Sequence, residues 1–345
     1  MSKINLLRGL LGLFVVCFAI EAGTPAHAQT PAEWNQVIEA AKKEGRVVLY
    51  SGQTGAPEHP AIAKLFEAKY GIKVDILEGR APELMERIRS EATITKRPVG
   101  DIVQMGSTGQ VPMSKNGLIQ KHGGFPNLAK LALKPWTEEE VPGFMIAYGI
   151  AVNPRLVPPA DEPKSWADMT NPKWKGKILS DQMFTAGMGQ TWFAVMLDAF
   201  GQSFHDKMGQ QAITFDTQVK ENPRRVARGE YAMSIPFNLA DLNNLQGLPV
   251  KAVIPQEGMP YTPIAMSMVK DAPHPNAARL FLNFVLEPEA QLVFARGGYP
   301  IAVQGLDDQL PAQSRAILTS KRMGHAKIEL QDERVRLASK IYLGK

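Results

Sequence analysis

The sequence predicts an α/β protein of two lobes, each a central, mostly parallel sheet flanked by helices. Three observations carry this. Between residues 46 and 109 a short apolar run, a small polar loop and an amphipathic segment follow one another three times, as in parallel strands with crossover helices. The same order resumes after Ile178. About 317 of the 345 residues remain once an expected leader is removed, more than one core usually holds.

The leader comes first. Lys3 and Arg8 precede an apolar run over residues 10–20, and Ala26-His27-Ala28 gives a small-x-small cleavage site before Gln29. A run of about a dozen residues is too short for a bilayer, which needs about 20. Cys17 lacks the small residue in front that a lipoprotein site requires. The mature chain is expected to be soluble, exported to the periplasm and cut after Ala28.

In residues 31–43, Trp34, Val37, Ile38 and Ala41 share one helical face, and Gly45 ends the helix. Val47-Val48-Leu49-Tyr50 reads as a buried parallel strand closed by Ser51-Gly52-Gln53-Thr54-Gly55. Ile62, Leu65, Phe66 and Tyr70 carry the next helix, with Gly71 as its C-cap. Residues 72–77 form strand two, Glu78-Gly79-Arg80-Ala81 its loop, and Pro82 suits a first helical turn. Leu84, Ile88 and Ala92 face inward from that helix. Asp101-Ile102-Val103 is strand three, ending in Gly106-Ser107-Thr108-Gly109.

Farther on, residues 144–152 read as a strand broken by Asn153-Pro154, and Pro158, Pro159 and Pro163 mark a surface loop. Ser165 to Asp168 opens a short helix. Ile178-Leu179 is a strand, residues 181–189 a polar turn, and residues 190–200 an apolar helix. Residues 231–235 form a strand with Pro236-Phe237-Asn238 as its loop, and residues 250–254 another. The apolar stretch 263–269 leads to helices over 275–286 and 289–295. From about residue 306 a charged, partly helical tail follows.

Composition excludes several functions. The leader holds two bases and one acid, so the mature chain keeps 37 Lys+Arg against 33 Asp+Glu. These bases are interspersed with acids, as solvated surface is, whereas nucleic-acid binding wants a stripe. The single cysteine leaves with the leader, which excludes disulfides, cysteine zinc sites and cysteine nucleophiles. The six histidines are dispersed without helical ligand spacing and read as surface residues. The run from Trp192 to Leu197 reads as core. Gly187-Met188-Gly189 lacks the Lys-Ser/Thr of a phosphate loop, and no Gly-x-Ser-x-Gly elbow marks a serine hydrolase.

Four stretches carry a resemblance: Val47 through Gln53, Ala68 through Val74, Trp166-Ala167-Asp168-Met169 with Pro172 through Ile178, and Ala272 through Phe284 ahead of Gly297-Gly298-Tyr299-Pro300. With them the chain resembles the extracellular solute-binding proteins of ABC importers, in the group that includes ferric-iron-binding proteins. The resemblance implies the type II periplasmic binding fold, two lobes hinged by crossing strands, and delivery of ligand to a membrane permease. The expected division is residues 29–145 and 262–305 in lobe 1, 146–261 in lobe 2, and 306–345 as a helical tail packed on both.

Loops at the carboxyl ends of parallel strands face the crevice where open α/β sheets bind ligands, and helix N-termini there attract anions. The expected ligand-binding residues are Ser51, Gln53, Thr54, Arg80, Ser107, Thr108, Thr185, Gly187 and Asn238. Arg80 is a forked donor for carboxylate or phosphate, or else a surface charge paired with Glu83 or Glu86. Asp241, beside Asn243-Asn244, either caps a helix or meets the cationic group of a zwitterionic ligand.

The iron-binding relatives use a histidine, a glutamate and a tyrosine pair, and this chain departs at the matching places. Thr54 stands for the histidine, Gly106-Ser107 for the glutamate, and Leu239-Ala240 for the tyrosines. Hydroxyls and methyl groups are poor substitutes for phenolates on a trivalent cation. Tyr231, Tyr261 and Tyr299 read as packing or turn residues. The expectation is therefore a non-catalytic, monomeric receptor with no cofactor and no metal, capturing a small organic or phosphorylated anion for an ABC permease. Ferric or other metal carriage is the alternative, and a secreted two-lobed enzyme the second.

Overall fold

The structure is a computed structural model describing residues 30–132, 137–185, 187–310 and 312–344, with backbone alone at 107, 108, 313, 314, 318, 319 and 328. The expected leader lies outside the described residues. In chain order the first lobe opens with α1 (Pro31–Glu44), β1 (Arg46–Ser51), α2 (Glu58–Tyr70), β2 (Lys73–Glu78), α3 (Ala81–Ser90), β3 (Ile102–Gly106), α4 (Ser107–Lys115) and β4 (Ile119–Gln120). Then come β5 (Val141–Val152), β6 (Ile178–Asp181), α5 (Met188–Phe200), α6 (Gln202–Gly209), β7 (Thr214–Asp216), α7 (Asn222–Ala227), β8 (Met233–Asn238) and β9 (Lys251–Val253). The chain closes with β10 (Met259–Val269), α8 (Pro275–Val285), α9 (Pro288–Arg296), α10 (Ala312–Thr319), β11 (Arg322–Gly324) and α11 (Gln331–Leu343).

Local signals account for the helix ends. Thr30 caps α1 in a box with Glu33, its amide donating to Glu33 Oε2 at 2.8 Å. Gly45 and Gly71 end α1 and α2 in the left-handed conformation that lets the chain turn straight into a strand. Within β1, Val47 and Leu49 join one apolar cluster while Val48 and Tyr50 join another. Successive strand residues face opposite sides, so a run of four apolar residues needs cover on both faces. Phe66 of α2 supplies much of one cover, its ring 5.1 Å from that of Phe281 and 5.4 Å from that of Phe284.

The strands run in the order β2-β1-β3-β10-β5-β8-β6-β7, with β4 and β11 on β10 and β9 on β5. Each end of this path is parallel: β1 with β2 and β3, β6 with β7 and β8. The middle is antiparallel. β10 pairs with β3 and β5, and β5 then leaves β10 at Ala147 to pair with β8 from Tyr148 onward. Two long strands thus run continuously from one lobe into the other.

Three features differ from the sequence expectation. Pro236 and Phe237 lie within β8, not in a loop after it; Pro236 sits where the β5 register shifts between Gly149 and Ala151, so its missing N–H breaks no ladder bond. The tail contributes a strand, β11, which pairs with the start of β10, as well as α10 and α11. And His59, His122 and His205 are buried, not on the surface. His205 shows why: its Nε2 bonds the Phe193 carbonyl at 3.0 Å and its Nδ1 the Tyr342 hydroxyl at 2.8 Å, so both ring nitrogens are satisfied in the core. That second bond fastens α11 against α5 and α6.

Candidate ligand-binding cleft

A cleft of about 1290 Å³ opens between the carboxyl ends of the parallel strands, with Tyr148 of β5 and Tyr261, Thr262 and Ile264 of β10 as its floor. Of the residues expected from sequence, Gln53, Thr54, Arg80, Gly187 and Asn238 line it. Ser51 does not. It is the last residue of β1 and fully buried, with its Oγ 3.3 Å from His59 Nδ1 and accepting from the Gln53 amide at 3.1 Å. Its part is to shape the loop that presents Gln53 and Thr54. Thr185 is exposed, outside the lining, and donates to Gln182 Oε1 at 3.3 Å. Ser107 and Thr108 open α4 beside the lining residue Gly106, and their side chains lie outside the described set.

Four helices begin at the cleft, but their tips differ. The Asp181 carboxylate accepts from the Gly189 amide at 2.7 Å and so fills the N-terminus of α5. Glu83 accepts from the Arg80 amide at 3.1 Å at the start of α3. The tips of α2 and α4 carry no side-chain cap. The α4 tip leaves backbone donors for a ligand, whereas at α2 the Glu58 carboxyl turns back on its own amide.

Cations dominate the charged lining. Arg80, Lys220, Arg224 and Arg296 face two acids, Glu58 and Asp241. All four are exposed, and among the described residues none forms a salt bridge. Their neighbours behave otherwise. Arg225 binds Asp216 at 2.7 Å and Glu230 at 2.8 Å, and Arg228 binds Glu221 and Glu230, each at 2.8 Å. Of the two carboxylates expected to pair with Arg80, Glu86 is taken by Arg89, and Glu83 accepts from the Arg80 backbone amide. Unpaired guanidinium groups in a cleft are free to fork onto a carboxylate or phosphate.

Sequence reasoning missed Glu58, Tyr148, Lys220, Arg224 and Arg296, and read Tyr261 and Tyr299 as packing or turn residues. All seven line the cleft. Burial pushes the phenols of Tyr148, Tyr261 and Tyr299 upward; for Tyr299 the nearby charges of Glu58 and Asp241 push the same way. Burial also raises Glu58 and Asp241, the latter partly offset by Lys220. Helix capping falls to Asn238, whose Oδ1 accepts from the Ala240 amide at 3.2 Å, leaving Asp241 for the cleft. Among the described residues no group of three or more His, Cys, Asp or Glu is placed to hold a metal ion.

Contacts already join the lobes across the opening. Lys220 Nζ donates to the Thr54 carbonyl at 3.3 Å, and Asn243 Nδ2 to the Arg296 carbonyl at 3.2 Å. The tail completes one wall with His325, Ala326 and Gln331.

A family model of bacterial extracellular solute-binding proteins matches residues 61–318. Iron uptake protein A1 of Synechocystis is 22% identical over 297 residues, 77% of this chain and 78% of its own length. A Trichodesmium IdiA (FutA) structure in complex with iron and citrate superposes with a TM-score of 0.72 at 22% identity, covering 86% of this chain and 99% of that one. AfuA of Actinobacillus pleuropneumoniae with fructose-6-phosphate bound gives 0.61 at 23%, covering 86% and 97%. These likenesses show the two-lobed fold. With most of its length matched by the family model, the chain belongs to the bacterial extracellular solute-binding proteins.

Proposed function

We propose that this protein is the periplasmic receptor of an ABC importer and that its cargo is a small organic or phosphorylated anion. The observation that carries the cargo class is the set of four unpaired cations, Arg80, Lys220, Arg224 and Arg296, around a cleft with half as many acids. The uncapped tip of α4 adds donors of the same sign. Gln53, Thr54, Gly187 and Asn238 supply neutral hydrogen bonds. The hinge lies where β5 changes partner between Ala147 and Tyr148, with β10 beside it. Ligand favours the closed arrangement by bonding both lobes at once, and the permease reads that arrangement.

Ferric iron is the second reading, and the relatives named for their cargo favour it: an iron uptake protein and a structure holding iron and citrate among them. Tyr148, Tyr261, Tyr299 and Glu58 in one cleft are its support here. Against it stands the Tyr148 hydroxyl's existing 2.8 Å bond to Thr262. Thermal unfolding of the purified mature protein separates the two. An anion at 100 times its dissociation constant stabilises by about 2.7 kcal/mol. Stabilisation by ferric iron alone, with a visible phenolate–iron band and no response to phosphates or carboxylates, overturns the anion reading.

A further inference from the structure

Glu58 is the feature of the cleft that an anion receptor does not explain. It lines the cavity with only 9% of its surface exposed, and among the described residues its Oε2 has no hydrogen-bond partner. Such a carboxyl is costly to bury unpaired. Asp241, the other acid of the lining, has Lys220 near it. Among the described residues Glu58 forms no salt bridge: burial raises it and its own backbone amide opposes.

The surrounding backbone is fitted to that carboxyl. The turn after α9 crosses it at Gly297, where a Cβ would fall 2.3 Å from Glu58 Oε1 and 3.0 Å from its Cδ. The next residue, Gly298, leaves its would-be Cβ 3.0 Å from Ala240 Cα in the other lobe. Tyr299 follows at the same place, close enough to both Glu58 and Asp241 to feel their charge. The carboxyl is thus held between a glycine turn and a phenol, in the lining of the cleft.

We propose that the cargo is zwitterionic: its anionic end lies on Arg80 and Arg224, and an ammonium group on the same molecule pairs with Glu58. This rests on the anion reading above. An ammonium brings the charge-assisted donor that Oε2 lacks, and the rings of Tyr261 and Tyr299 suit a cation. A neutral or purely anionic solute would leave Glu58 buried and unsatisfied, or oppose it.

Matched probe pairs test this by calorimetric titration of the mature protein: phosphoethanolamine against ethyl phosphate, and β-alanine against propionate. The amine-bearing member is expected to bind at least about tenfold tighter, the worth of one charge-assisted bond. In Glu58→Gln the two members of a pair should bind within about threefold of each other. Gly297→Ala, which displaces the carboxyl without removing it, should lose the preference too, with folding of both variants checked by circular dichroism. Equal binding within each pair in the native protein overturns the zwitterion and leaves the anion reading standing, as does a preference that survives Glu58→Gln. Failure of all four probes, with iron alone bound, overturns both.

Discussion

His205 gives a prediction whose size follows from its surroundings. The Phe193 carbonyl can only accept, so Nε2 carries the ring proton and Nδ1 accepts from the Tyr342 hydroxyl. Burial lowers the imidazole from 6.5 to about 4 in the folded state, the bond to Phe193 opposing only in part. A base whose folded value is depressed loses stability as pH falls, because the unfolded chain takes up the proton first. The loss begins near pH 6.5 and is complete near pH 4. Between pH 7 and pH 5 this one group removes about 2 kcal/mol. Urea unfolding at the two pH values, followed by tryptophan fluorescence, measures the loss in the native protein and in His205→Gln. Other titrating groups, such as Glu140, raised by burial to about 7, act equally in both and cancel. The native protein should lose about 2 kcal/mol more than the variant. Parallel declines would refute a neutral, buried imidazole tying the tail to the second lobe.

Phe66→Ala should cost about 3–5 kcal/mol in urea unfolding, since a fully buried ring touching Tyr70, Phe281 and Phe284 leaves a cavity between α2 and α8. Gly189→Ala should cost about 1–3 kcal/mol, because its Cβ would meet the Gln182 carbonyl at 2.5 Å and the Asp181 carbonyl at 2.8 Å, and neither backbone atom swings away easily. Arg80→Gln and Arg224→Gln should each weaken ethyl phosphate binding about tenfold and flatten its dependence on salt between 50 and 500 mM, approximate bounds chosen to span the screening range. Unchanged titrations would remove those guanidinium groups from the site.

The scaffold was largely legible because its signals are local. Val47 to Tyr50 is apolar without a break, Gly45 and Gly71 stand where helices must stop, and small polar loops follow each strand. Those loops led to Gln53, Thr54, Arg80, Gly187 and Asn238 at the cleft. Ser51 was misplaced because one step along a strand changes the side a residue faces. Thr185 was misplaced because Asp181, not a ligand, fills the adjoining helix tip. Glu58, the pair Lys220 and Arg224, and Arg296 come from three segments far apart in sequence. No periodicity marks a surface base that meets a cleft, and only the chain's path back through β10 and α9 brings the four together. Tyr148 and Tyr261 escape notice because a phenol on a crossing strand has the same local pattern as one in a core, and Tyr299 because it stands in a turn after α9.

The C-terminal segment has a bearing on how this receptor can diversify. His325, Ala326 and Gln331 at the start of α11 touch the cavity, while β11 before them and the rest of α11 behind them are each anchored elsewhere. Recognition can therefore be retuned by replacing a handful of terminal positions, with neither parallel sheet disturbed. A library randomised only there would sample new guests at little risk to folding, and trimming the chain back to Gly324 would strip away part of the guest's enclosure.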